Sequence, residues 1–279
     1  LPIPTRSGGT WLQVDGRVYE LYPFVCGEPF TPGDERAVAS AAQALARFHQ
    51  AAVDYRPSAG DSHELVDQYS ILGFANEVSD RVHDPRLMPA NLRALRALAP
   101  DADDQRLMDR CLSRTEGLIR TYSGAPYRRL AGWVVHGDFT PANLLFSPGG
   151  EVVGIFDFDW ALTGARCQDI AEAMYFFASE PRGINSSDIW SLTDAAQFDL
   201  GLCVLFLQAY QAVSVLTSVE LDAIPAAFAA MWLSVRLEGM AKVPQSDRFR
   251  FFAREIEKPL IWMDQNWAYL RRSIRRDDL

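Results

Sequence analysis

The sequence predicts an α+β fold, a mainly helical body joined to a small β portion. Three observations carry that expectation. Near the start, two short alternating runs flank Asp15-Gly16, a dipeptide that suits a type I′ hairpin turn. At the centre, two apolar runs flank Ser147-Pro148-Gly149-Gly150, a second hairpin signature. Over most of the remaining chain the apolar residues recur with helical period.

The elements follow in order. Trp11-Leu12-Gln13-Val14 and Arg17-Val18-Tyr19-Glu20-Leu21-Tyr22 form the first hairpin, and Pro23-Phe24-Val25-Cys26-Gly27 breaks it. Thr31-Pro32-Gly33-Asp34-Glu35 reads as a helix start, with Thr31 as N-cap and Pro32 at the first position. Val38, Ala41, Leu45, Phe48 and Ala52 share one face of that helix. Further helical segments fill 65–120, punctuated by Pro85, Pro89 and Pro100. Trp133-Val134-Val135 reads as a strand leaving the core. Leu144-Leu145-Phe146 and Glu151-Val152-Val153-Gly154-Ile155-Phe156 are the arms of the central hairpin. Asp169-Ile170-Ala171-Glu172 has the form of a capping box. Helices are expected over 169–178, 194–217, 224–240 and 247–274. Ser246 is placed to cap the last, and Pro259 to kink or divide it.

The chemistry concentrates at the centre. His136-Gly137-Asp138-Phe139-Thr140-Pro141-Ala142-Asn143 is followed, across the hairpin, by Ile155-Phe156-Asp157-Phe158-Asp159. A carboxylate, an amide five residues on and a second carboxylate after a turn are the groups that phosphoryl transfer requires. One Asp orients and deprotonates a hydroxyl; an Asn and another Asp hold magnesium against nucleotide phosphates. The hairpin would return Asp157 to the neighbourhood of Asn143, so that two oxygen ligands converge on a hard cation. Asp159 is either a further carboxylate near the metal or a partner for loop backbone. His136 reads as a structural group that fixes the loop.

These residues resemble the aminoglycoside phosphotransferase and choline kinase-like family, which includes type II homoserine kinases. Its mark is H-G-D-x-x-x-x-N followed by an I-D-F-[DE]-like strand end. The resemblance is specific at the centre and looser from Val18 to the C-terminal helices. It implies a protein-kinase-like fold with a mainly helical C-lobe and an incomplete β N-lobe. It also implies ATP and Mg2+ as cofactors, with a small-molecule hydroxyl as acceptor: an aminoglycoside, a homoserine-like amino alcohol or a choline-like amine. Residue by residue, Asp138 becomes the catalytic base, and Asn143 and Asp157 the metal ligands. The hinge would offer the Pro23 C=O and Val25 N–H to adenine. Residues 1–26 then form an N-lobe remnant of hairpin and hinge. Residues 27–279 form the helical C-lobe, with the catalytic loop and the metal-binding hairpin. Leu21-Tyr22-Pro23-Phe24-Val25-Cys26-Gly27-Glu28 leans toward the homoserine kinase-like branch. Asp169 would either tie the following helix to the catalytic loop or act as a cap alone.

One departure bears on function. The family's phosphate-covering loop, strand lysine and partner glutamate would all precede Trp11, where ten residues stand. The two lysines, Lys242 and Lys258, lie far beyond the hinge. The expectation is a piece of a longer kinase. The alternative is a remnant that no longer transfers phosphate and serves as a binding module. On either account the chain as it stands is expected to bind nucleotide weakly and to offer the first hairpin's apolar edge to another chain.

Composition fits this reading. A net charge of −9 and a pI near 5.0 argue against a nucleic-acid partner. Arg and Ala richness suggests a GC-rich bacterial genome. Cys26, Cys111, Cys167 and Cys203 lie far apart and point to buried, reduced thiols in a cytoplasmic protein rather than to zinc or a disulfide framework. The apolar stretch 200–216 contains Gln208 and Gln211, so a buried helix is expected there, with no membrane partner. Arg271, Arg272, Arg275 and Arg276 complement a helix C-terminus. Tyr175, Phe176, Phe177 and Trp232 read as core.

Overall fold

The computed structural model describes residues 2–53, 83–130, 132–180, 187–194 and 197–274. Strands β1 (Leu12–Val14) and β2 (Arg17–Tyr19) pair antiparallel, with Val14 opposite Arg17. Asp15 and Gly16 have φ of 50° and 75°, the two positive values a type I′ turn requires. Every residue of both strands is exposed.

Helix α1 (Glu35–Ala51) starts a few residues later than the sequence suggests. Its N-cap is Asp34, whose carboxylate accepts from the Arg36 and Ala37 amides, while Thr31 only closes the preceding turn. An Asp carboxylate is the stronger cap of the two. The helices expected within 65–82 lie outside the described residues. Pro85 opens a single 3-10 turn, Pro89 sits in the first turn of α2 (Met88–Ala97), and Pro100 precedes α3 (Ala102–Ser123). Asp101 caps α3 through the amides of Asp103 and Asp104. A short α4 (Ala125–Arg128) follows.

The centre holds β3 (Trp133–Val135), β4 (Leu144–Phe146), β5 (Val152–Ile155) and β6 (Leu162–Gly164). β4 and β5 form the expected hairpin, with Leu144 opposite Ile155. β3 pairs with β6, Val134 opposite Thr163. Helix α5 (Cys167–Ala178) then enters the core, buried at nearly every position.

The helical half differs from the expected spans at its ends. Between 194 and 217, β8 (Gln197–Phe198) first pairs with β7 (Ser179–Glu180), and α6 (Leu200–Val213) starts only after its Asp199 cap. Helix α7 (Ser218–Gly239) starts well before residue 224, because Thr217 and Glu220 form a capping box and Pro225 is accommodated inside the helix. An interior proline costs about 3 kcal/mol, which burial of most of α7 offsets. The last expected helix is two: α8 (Arg248–Ala253) and α9 (Glu257–Ser273). Ser246 lies in a 3-10 turn and caps neither. The break falls at Glu255, whose φ is 56°; Pro259 sits in the first turn of α9, where a missing N–H costs little.

The core is centred on α5 and α7. Tyr175, Phe206, Phe228 and Trp232 are fully buried there. By length and composition α7 could cross a membrane, yet its side chains supply the middle of this core. Phe177 is also buried, and Phe176 packs against the cluster.

Candidate active site

The loop between β3 and β4 is shaped by its backbone first. Gly137 has φ of +80°, and a Cβ there would stand 2.4 Å from the Trp160 carbonyl oxygen. Only glycine fits both constraints. The His136 amide donates to Asp169 Oδ2 at 2.6 Å, and the Gly137 amide to Asp169 Oδ1 at 2.9 Å. The Phe139 amide donates to Glu172 Oε2 at 3.2 Å. The capping-box expectation for Asp169 and Glu172 is thereby corrected. Both lie inside α5, whose N-cap, Arg166, makes no side-chain capping bond. Three residues apart, they share one helix face and reach across to the loop.

Asp169 also meets His49 Nε2 at 3.0 Å, and His49 Nδ1 meets the Tyr210 hydroxyl at 2.7 Å. Arg166 pairs with Glu220 at 2.6 Å and 3.0 Å and stacks over Trp133 at 4.1 Å. Burial works against both charges of that pair, but their mutual hydrogen bonds win, raising Arg166 and lowering Glu220. This buried network joins α1, α5, α6 and α7 behind the loop.

Asp138 is half-buried. Asn143 Nδ2 donates to Asp138 Oδ2 at 2.8 Å and to the Asp138 carbonyl at 2.9 Å. That commitment leaves Asn143 Oδ1 as the acceptor end of the amide. Burial pushes the Asp138 carboxyl above the ordinary carboxylate range; the Asn143 bond opposes this and the charge of Asp157 adds to it. His136 Nδ1 accepts from the Asp138 amide at 3.3 Å, so its Nε2–H donates to the Phe156 carbonyl at 3.0 Å. The Phe156 amide donates in turn to the Asn143 carbonyl at 2.9 Å. Asp157 is thus delivered beside Asn143. It is exposed and has φ of 60°, a backbone state that costs energy outside glycine. Asp159 is exposed as well.

An amide oxygen and an exposed carboxylate are the donors a hard cation takes when water and phosphate fill its other positions. Among the described residues, no group of three or more His, Cys, Asp or Glu forms a closed metal cage. The pair fits magnesium of the phosphate-bridging kind rather than an all-protein site.

The segment that follows the first hairpin, expected to act as a hinge, lies against the central hairpin. The Glu28 amide donates to the Phe146 carbonyl at 2.7 Å, and the Phe146 amide to the Glu28 carbonyl at 2.8 Å. At Gly27 the backbone comes so close that a Cβ would be 2.9 Å from both Leu145 and Val153. Val25 is half-buried and Pro23 exposed, while Phe24 is 91% exposed. Cys26 is exposed, unlike the buried Cys111, Cys167 and Cys203, so the expectation of buried thiols fails there because the segment around it lies on the surface.

Sequence reasoning missed His49, Glu172 and His83. The available signal was polarity on an apolar face: His49 follows Leu45 by one turn, and Glu172 interrupts Ile170, Ala171, Ala173 and Met174. At the C-terminus, Arg271 pairs with Asp222 at 2.8 Å; Arg275 and Arg276 lie outside the described residues.

Fold and loop together define a kinase-like protein. The chain belongs to the phosphotransferase enzyme family, which residues 2–213 match. It is 27% identical over 225 residues to a homoserine kinase of Beijerinckia indica, covering 80% of this chain and 58% of that protein. The chain spans about three fifths of the length of the curated relatives it matches. Among solved structures, an aminoglycoside phosphotransferase from Alicyclobacillus acidocaldarius superposes with a TM-score of 0.61 at 20% identity, over 98% of this chain and 76% of that one. The amicoumacin kinase hAmiN, solved with AMP-PNP and Ca2+, has a TM-score of 0.57 at 17% identity, over 93% of this chain and 71% of that one. These likenesses show the α+β, kinase-like fold.

Proposed function

We propose that the protein is an ATP- and Mg2+-dependent phosphotransferase acting on a hydroxyl of a small molecule. The single observation that carries this is the Asp138–Asn143–Asp157 arrangement in a member of the phosphotransferase enzyme family. Asp138 orients the acceptor hydroxyl and takes its proton as the acceptor oxygen bonds to phosphorus and ADP leaves. Asn143 and Asp157 hold the metal. ATP supplies the phosphoryl group, and magnesium neutralises its charge. Residues 1–26 form the N-lobe side, with the Pro23 C=O and Val25 N–H facing adenine, and residues 27–279 form the C-lobe.

The homoserine kinase relative and the aminoglycoside phosphotransferase and amicoumacin kinase neighbours support an acceptor among aminoglycosides, homoserine-like amino alcohols or choline-like amines. Use of ATP puts the reaction in the cytoplasm. The net charge of −9 disfavours nucleic acid, and the reading requires no membrane.

The test is transfer from γ-labelled ATP to homoserine, choline, 1-amino-2-propanol and kanamycin in the presence of Mg2+. Asp138→Asn is expected to lower turnover by about 10²-fold or more while nucleotide affinity stays nearly unchanged. Asp157→Ala is expected to abolish transfer. Wild-type activity in Asp157→Ala would sink the metal assignment, and lost ATP affinity with normal turnover in Asp138→Asn would sink the base.

A further inference from the structure

Two carboxylates interrupt the otherwise apolar helix α5. Asp169 is fully engaged by two loop amides and His49. Glu172 stands differently. It is 4% exposed, and its polar neighbours are the Phe139 amide on Oε2 at 3.2 Å and His83 Nε2 at 3.5 Å from Oε1. The His83 side chain is 8% exposed, and neither of its ring nitrogens makes a hydrogen bond among the described residues. For the fold alone a leucine at 172 would cost less, since a buried carboxyl must be desolvated and an apolar side chain need not be.

What Glu172 holds is the peptide unit between Asp138 and Phe139. The N–H of that unit goes to Glu172. Its C=O accepts from Asn143 Nδ2 at 2.9 Å and from the Thr140 amide at 2.9 Å. Held at both ends, the peptide plane fixes the ψ of Asp138 and therefore the direction in which its side chain leaves the backbone.

We propose that Glu172 is a positioning residue for Asp138, acting through the Phe139 amide, with His83 placed to hold its second oxygen. The proposal rests on the reading of Asp138 as the base. The protonation state of the pair is compatible with it. Burial, then the charges of Asp138 and Asp169, push the Glu172 carboxyl well above its ordinary range, and burial pushes His83 down. A protonated Glu172 still presents Oε2 as an acceptor to Phe139.

The experiment compares Glu172→Gln, which keeps an acceptor oxygen, with Glu172→Leu, which fills similar space without one. Three quantities are read: hydrogen exchange at the Phe139 amide, melting temperature, and Mg2+-dependent phosphate release from ATP with water as the acceptor. In Glu172→Leu the amide should exchange about tenfold faster or more. Turnover should fall by about tenfold to a hundredfold, with the KM for ATP maintained and the melting temperature lowered by no more than one orphaned amide costs, about 2–12 °C. Glu172→Gln should match the wild type in exchange and in turnover. Unchanged exchange in Glu172→Leu overturns the proposal. So does a lowered melting temperature in both variants with every parameter lost, which is a structural role only. Asp138→Asn is run in parallel. If it leaves phosphate release intact, the base reading fails, while the exchange measurement still reports on the clamp.

Discussion

Asp169 holds two loop amides and a histidine behind the loop, and its truncation has a size that can be worked out. Asp169→Ala strands three buried groups: the His136 amide, the Gly137 amide and the His49 ring. An orphaned buried donor costs about 1–3 kcal/mol, so three would cost roughly 3–9 kcal/mol if nothing relaxed. The space vacated by the carboxylate can admit water, which favours the lower part of that range, about 4 kcal/mol. That is a large share of the roughly 5–15 kcal/mol by which a native protein is stable. At about 2–4 °C per kcal/mol for a chain of this size, the melting temperature should fall by roughly 8–16 °C. Asp169→Asn keeps one acceptor oxygen and should lose about half as much. Urea denaturation and thermal melting followed by circular dichroism give both numbers. A loss below about 1 kcal/mol in Asp169→Ala would refute the claim that this carboxylate holds the loop.

Gly137→Ala meets both a left-handed backbone and the Trp160 carbonyl. It should cost about 2–6 kcal/mol and disable transfer; a variant with wild-type melting and turnover would contradict the loop geometry. The Glu172 shift has a pH signature. Its folded pKa is raised, so its contribution is full below the unfolded value, near 4.5, and is lost as pH rises through the folded one. His83 is lowered, so its contribution is present above its unfolded value and is lost as pH falls through the folded one. The melting temperature of Glu172→Gln relative to wild type should therefore rise as the pH climbs above the unfolded value of 4.5. A flat difference above that pH would count against a raised Glu172.

Much of this arrangement was legible from local spacing. Asp138 and Asn143 lie in one loop, and a short hairpin determines where Asp157 returns. The Asp15-Gly16 turn was likewise readable, because two adjacent residues determine its type. What escaped depended on distant partners. Asp169-x-x-Glu172 has the same letters whether its carboxylates fold back onto their own helix or reach amides about thirty residues upstream. His49 and Asp169 are 120 residues apart. β6 is three residues long, too short for alternation to single it out, and exists because β3 offers an edge. The helix expected from residue 224 starts about one and a half turns earlier, where the Thr217–Glu220 capping box sets its beginning.

The central claim is that Asn143 and Asp157 bring a metal to a nucleotide while Asp138 serves the acceptor. Calorimetric titration of AMP-PNP with and without Mg2+ tests it most directly, on the wild type, Asp157→Ala and Asp138→Asn. The account predicts that Mg2+ strengthens binding to the wild type and to Asp138→Asn and has no effect on Asp157→Ala. Equal Mg2+ enhancement in all three proteins would contradict it.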